Sequence, residues 1–280
     1  MGDILEKSIG VYGATGFIGR AFCKQSTNTT FAISRHDLNP MHNEILYCIG
    51  TNDNYNVFTD PTLDIRTNQI VLINKLENLR KKSKHFTLNY LSSWTVYGNI
   101  PIPFSEENFC KPSSFNSISK YAAELLLKSY CETFDINYRI IRLANVVGPG
   151  NVKYSEKRNA LQFLANKLKN NDPIHIYDNG NFYRDYIHIN DVVKALDLVI
   201  DSKLINQVIN IGSGDVPLFR DLIFTLKYKL NSTSEILSID PPNFHKVVQS
   251  ANSILDIAKL KSIGFKSEYS VIEGILEQIS

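Results

Sequence analysis

Apolar and polar positions alternate along this chain in short blocks. The run "SIGVY" (8–12) ends in the glycine-rich "GATGFIG", and a helical stretch, "RAFCKQS", follows. "TFAISR" (30–35) and "EILYCIG" (44–50) read as strands, being short, bounded by turn residues and rich in β-branched or aromatic side chains. Apolar positions at Ile65, Ile70, Val71, Ile73, Leu76 and Leu79 predict a helix over Leu63 to Lys82. "HFTLNYLSS" reads as a strand, Ser117 to Phe134 as a helix, and "NYRIIRLAN" as another strand. This alternation predicts an α/β fold with a parallel sheet covered by helices on both faces.

After Gly148 the texture changes. A loop at "VVGPGN" leads to a helix over Asn159 to Lys169, then a strand and turn in "IHIYDNGN". A helix begins at about Asn190, with Asp191 near its positive end. "VINIGSG" is a strand running into a glycine turn, helices are predicted at 218–230, 254–262 and 270–278, and a short strand lies near "EILSI". The expected organisation is a main domain over 1–147 plus about 182–211, with a smaller interwoven lobe over 148–181 and 212–280. One irregularity stands out: only eight residues separate the second strand from the third. A crossover helix needs about a dozen residues or more. Either a strand–helix unit is missing, or the third strand lies elsewhere.

Composition narrows the function. The 280 residues carry a net charge of +2, which gives a nucleic-acid partner or a polybasic membrane anchor no support. No apolar run approaches the ~20 residues that span a bilayer, so a cytoplasmic protein is expected. Cys23, Cys48, Cys110 and Cys131 are widely spaced without a CxxC pair, which predicts reduced thiols and no metal site.

The chemistry begins with Gly13, Gly16 and Gly19. Following a strand and opening a helix, this spacing predicts a dinucleotide site, with free N–H groups at the helix start facing phosphates. The second strand ends in Ser34 and Arg35 rather than an acid. An arginine there can pair with a 2′-phosphate, which favours NADP over NAD.

GxxGxxG, "LSSWTVYG", the lysine of "SISK", "RLANVVGPG", "FYRDYIHINDVVKA" and "VINIGSG" occur in an order that resembles the extended short-chain dehydrogenase/reductase family. That family includes nucleotide-sugar epimerases, 4,6-dehydratases and 4-ketoreductases. The resemblance implies a Rossmann-type doubly wound sheet and a nucleotide-sugar substrate. It also implies a role in surface polysaccharide synthesis and a homodimer built on a four-helix contact. It implies that Ser93 bonds the reacting sugar oxygen and that Lys120 binds the nicotinamide ribose. Asn68 resembles the helix asparagine that supports the site. Asn145 and Arg184 resemble residues holding the substrate's phosphates, with Thr95 beside them. Further cofactor contacts are implied at Thr15, Phe17, Ile18, Ile49, Gly50 and Leu143. Asp185 and His188 read as structural residues of a loop before a helix. Trp94 and Thr95 stand where the dehydratases carry an acidic pair, which disfavours dehydration.

The departure from the pattern is Asn116. The family carries a tyrosine four residues ahead of the lysine, and that phenol moves the hydroxyl proton. An amide does not ionise in this range, and losing an acid–base group typically costs ~10²- to 10⁴-fold in rate. Lys120 through a water, Ser93, or a tyrosine such as Tyr97 could relay the proton instead. This leaves 4-keto reduction or 4-epimerisation as the expected chemistry, with a non-catalytic NAD(P)- and nucleotide-sugar-binding protein as the alternative.

Overall fold

A computed structural model describes residues 8–34, 37, 42–82, 85–150, 160–248 and 252–280. Its centre is a six-stranded parallel sheet in the order β2-β1-β3-β4-β5-β9. The strands are β1 (Ser8–Tyr12), β2 (Thr29–Ile33), β3 (Glu44–Tyr47), β4 (Thr87–Ser93), β5 (Asn137–Leu143) and β9 (Gln207–Ile211). Two short parallel pairs stand apart. One joins β6 (Asn145–Val147) to β8 (Tyr186–His188), and the other joins β7 (Ile174–Tyr177) to β10 (Ile236–Ile239). Among the described residues no helix is long and apolar enough to cross a membrane.

Period-two alternation divides the sheet residues between two cores. Ile9, Val11 and Leu46 point to one face, under α1 (Phe17–Gln25) and α7 (Ile189–Asp201). Tyr12, Ile45 and Tyr47 point to the other, with Leu72, Leu76 and Leu79 of α4 (Val71–Lys82) and Ala123, Leu127 and Cys131 of α5 (Phe115–Phe134). This is a Rossmann-like α/β fold. A third core gathers β7 with α6 (Ala160–Lys169), α8 (Phe219–Lys229) and α11 (Val271–Ile279).

β3 pairs with β1 on the side opposite β2. Gly10 makes room for His42: a β-carbon there would lie 2.6 Å from the ring of His42, which stacks on Phe31. Beyond β2 no further strand is added among the described residues, so β2 is the sheet edge.

Two predicted helices are corrected. The segment 63–82 is broken into α3 (Thr62–Ile65), a π-helical turn at Arg66–Ile70, and α4. A hydrophobic period does not separate i→i+4 from i→i+5 bonding, and π turns occur frequently at functional sites. The segment 254–262 is helical only over Ala258–Ser262. Before it, Phe104 N donates to Ile254 O (2.7 Å) and Asp256 N to Phe104 O (2.9 Å), a long-range pairing that overrides local helix propensity.

Candidate active site

The site lies at the carboxyl ends of the strands, where β2 and β3 leave β1 in opposite directions, the usual place for ligands in such sheets. Gly13 adopts φ +78°, and a β-carbon there would meet the Cys48 carbonyl carbon at 3.1 Å. A β-carbon on Gly19 would lie 2.4 Å from Gly13 O, so helix and turn pack in direct contact. Gly16 N donates to Gly13 O at 2.9 Å, and α1 starts at Gly16 without a side-chain cap. The N–H groups of its first turn therefore suit a pyrophosphate. Thr15 is exposed, while Phe17 and Ile18 pack on the core. Ser34 is exposed just past the end of β2. Arg35, on which NADP preference rests, lies outside the described residues.

Helix α5 presents the second part. Ser114 caps it, with its Oγ accepting from Ser117 N at 3.0 Å in a capping box, and this fixes Asn116 and Lys120 one turn apart. Lys120 is buried, and its Nζ reaches Gly50 just past β3, 2.9 Å from where a β-carbon would stand. Burial lowers its pKa from 10.5 to about 8, although the carboxylates of Glu124 and Asp64 act to raise it. Glu124, one turn further along α5, is held by Arg142 at 2.7 Å and by the hydroxyl of Ser92.

Asn116 does not project an unengaged amide. Its Nδ2 donates to Thr51 Oγ1 at 2.8 Å and to Asp64 Oδ1 at 3.0 Å. Asp64 is buried and also accepts from Asn56 Nδ2 at 3.0 Å, while its Oδ2 has no partner among the described residues. Asn68, fully buried in the π turn, accepts from Thr51 N (2.9 Å) and donates to Thr51 Oγ1 (2.9 Å) and Ser119 Oγ (2.8 Å). Asn68 thus pins Thr51, four residues past the end of β3. Ile49 packs against the core beside it.

Ser93 ends β4. Its Oγ accepts from Thr95 N (3.3 Å) and Thr95 Oγ1 (3.0 Å), which directs its own hydrogen elsewhere. Arg184 lies 5.0 Å over the Trp94 ring, and its burial there lowers its pKa. Asn145 Nδ2 donates to Asp185 O at 2.9 Å, which ties the β6–β8 pair together next to Arg184. Leu143 closes the end of β5 and is buried. Tyr97 is a correction. Its hydroxyl donates to Asn210 at 2.8 Å inside the core, and burial pushes its pKa up to about 12, so it does not relay protons to this cleft. Asp185 accepts from Ser213 N (3.2 Å) and Leu255 N (3.2 Å). His188 caps α7 by accepting from Asn190 N (3.1 Å), so both hold loops in place.

The family model for the NAD dependent epimerase/dehydratase family matches residues 41–212. A putative UDP-glucose 4-epimerase of Methanocaldococcus jannaschii is 32% identical over 79% of this chain and 70% of its own length. The chain belongs to the NAD-dependent epimerase/dehydratase family. A dTDP-4-dehydro-6-deoxyglucose reductase of Escherichia coli is 30% identical over 66% of this chain, but the match spans only 57% of that protein. In fold, the chain resembles a UDP-glucose 4-epimerase from Thermotoga maritima solved with UDP-glucose (TM-score 0.82, 24% identity, 97% of each chain). It equally resembles RMD from Pseudomonas aeruginosa complexed with NADPH (TM-score 0.82, 21% identity, 98% of each chain).

Within this family member, sequence reasoning missed Thr51, Asn56 and Asp64. Asp64 stands four residues before Asn68, a helical spacing that would have placed both on one face. Thr51 lies four residues past the end of β3. Neither carries a motif of its own.

Proposed function

We propose that this chain is an NAD(P)-dependent enzyme acting at C4 of a nucleotide-linked sugar, as a 4-ketoreductase or a 4-epimerase, with reduction favoured. The observation that carries this reading is Lys120. It is a buried ammonium with a pKa lowered to about 8, set against Gly50 and one helical turn from Asn116. A nicotinamide cofactor supplies or takes up a hydride when bound. On this reading the Gly13–Gly19 turn holds the pyrophosphate, Lys120 the adjoining ribose, and Arg35 a 2′-phosphate, so NADP is preferred. Ser93 donates its hydroxyl hydrogen to the sugar oxygen, and Asn145 and Arg184, with Thr95, hold the substrate. A group titrating near neutrality is an effective proton donor, and Lys120 through a water fills that role. Reduction needs the proton in one direction only; epimerisation needs it both ways, which the loss of a phenol impairs more. The pathway, cytoplasmic surface-polysaccharide synthesis, follows by analogy with the relatives.

The test is to mix the purified protein with NADPH and dTDP-4-dehydro-6-deoxyglucose or another 4-keto sugar nucleotide. Steady, protein-dependent loss of nicotinamide absorbance supports the reading, and consumption at the uncatalysed rate removes it. A second reading, a binding protein without turnover, is favoured by one feature: both amide hydrogens of Asn116 are committed to protein acceptors. It predicts cofactor binding with no consumption.

The homodimer is proposed on exposed apolar residues: Ile118, Leu125 and Leu126 of α5, with Ile65 and Ile70 on the neighbouring segment. Sedimentation should show a dimer that Leu125→Glu dissociates.

A further inference from the structure

The hydrogen-bond network around Asn116 has a fixed sense. Asp64 Oδ1 accepts from the NH₂ of Asn56 at 3.0 Å and from the NH₂ of Asn116, also at 3.0 Å, so the latter faces it. The same NH₂ then gives its second hydrogen to Thr51 Oγ1, at 2.8 Å. Asn68 is equally fixed, because its Oδ1 accepts from the backbone N–H of Thr51 at 2.9 Å. Its NH₂ therefore donates to Thr51 Oγ1, also at 2.9 Å. A hydroxyl has two lone pairs and one hydrogen. Both lone pairs of Thr51 are filled by amides, and its hydrogen has no acceptor among the described residues. Thr51 is half-buried, next to Gly50, where the Lys120 ammonium arrives.

We propose that Thr51 is a donor-only hydroxyl that binds the oxygen on the sugar carbon undergoing oxidation or reduction. Asp64, Asn116 and Asn68 act as positioning residues that keep its hydrogen directed at the ligand. The bond from Asn116 to Thr51 adds 2.8 Å to a short amide, which brings the reach of the pair toward that of a phenol at position 116. What the pair loses is ionisation, so Thr51 polarises and holds the oxygen while the proton comes from elsewhere. Two accepted bonds strengthen a hydroxyl as a donor, because linked hydrogen bonds polarise one another.

The proposal rests on the reading of the site as a nucleotide-sugar reductase or epimerase, and two experiments separate its failure from the failure of that reading. The first is steady-state NADPH consumption with dTDP-4-dehydro-6-deoxyglucose by Thr51→Val and Thr51→Ser. Loss of a single preorganised donor predicts a fall of about 10²-fold in kcat for Thr51→Val. Thr51→Ser should recover to within about threefold and match the wild type in melting temperature, whereas Thr51→Val, which leaves the amides of Asn68 and Asn116 short of an acceptor, should melt lower; both should keep wild-type NADPH affinity. Wild-type turnover by Thr51→Val, or equal impairment of Thr51→Ser, overturns the proposal. The second experiment needs no turnover: a neutron structure of the deuterium-exchanged protein. A deuterium on Thr51 Oγ directed into the cleft supports the proposal, even if the wild type reduces no tested sugar. A deuterium directed at Asn116 or any other protein acceptor overturns it.

Discussion

Asp64 and Asn116, 52 residues apart in sequence, meet in a buried hydrogen bond of 3.0 Å that joins the segment before the π turn to the start of α5. Asn116, proposed to stand where the family carries its acid–base tyrosine, gives its amide to a carboxylate. That carboxylate also bears on Lys120, whose pKa it raises against the larger effect of burial.

Asp64→Asn therefore lowers the pKa of Lys120 further below about 8. An NMR titration of the Lys120 ammonium in the two proteins checks the direction. An upward shift would mean that the carboxylate does not act on the lysine.

Lys120 also affects stability. Its pKa is 10.5 unfolded and about 8 folded, a difference equivalent to about 3 kcal/mol. Because the folded value is the lower one, the lysine's contribution is intact above the unfolded pKa and lost as pH falls through the folded one. Lys120→Met should thus be more stable than the wild type at pH 7, with the gap closing as pH rises from about 8 toward 10.5. Denaturant melts across that window measure it. A gap independent of pH would contradict the assignment.

Glu124→Gln leaves Arg142 buried without its counter-charge. The pair is 2.7 Å apart with both side chains almost fully buried, and breaking such a pair typically costs 3–5 kcal/mol. Equilibrium unfolding should show a loss of about that size. A loss below about 1 kcal/mol would mean that water already reaches the pair.

Asn116→Tyr should not improve turnover of 4-keto sugar nucleotides, because the phenol removes the amide that Asp64 and Thr51 both engage. A large gain would instead identify a degenerate enzyme whose pocket still fits the lost tyrosine.

The sheet and the glycine turn were legible because each is written locally: short apolar runs, period-two alternation, and glycines where a β-carbon would meet Cys48 or Gly13. Lys120, Ser93, Asn68, Asn145 and Arg184 were singled out through motif order alone. The network around Thr51 was not, since its bonds join residues 17, 52 and 65 positions apart. Tyr97 was misjudged because nearness to Ser93 in sequence says nothing of which way a buried hydroxyl points. The helix expected at 254–262 failed for a related reason, as its first half pairs with Phe104 across the chain.

Calorimetric titration with NADPH reads the dinucleotide site itself. Saturable binding is expected of the wild type, abolished in Gly19→Ala, where the added carbon would lie 2.4 Å from Gly13 O, and weakened in Lys120→Met. Absence of binding by the wild type, or binding indifferent to both substitutions, would contradict this assignment of the site.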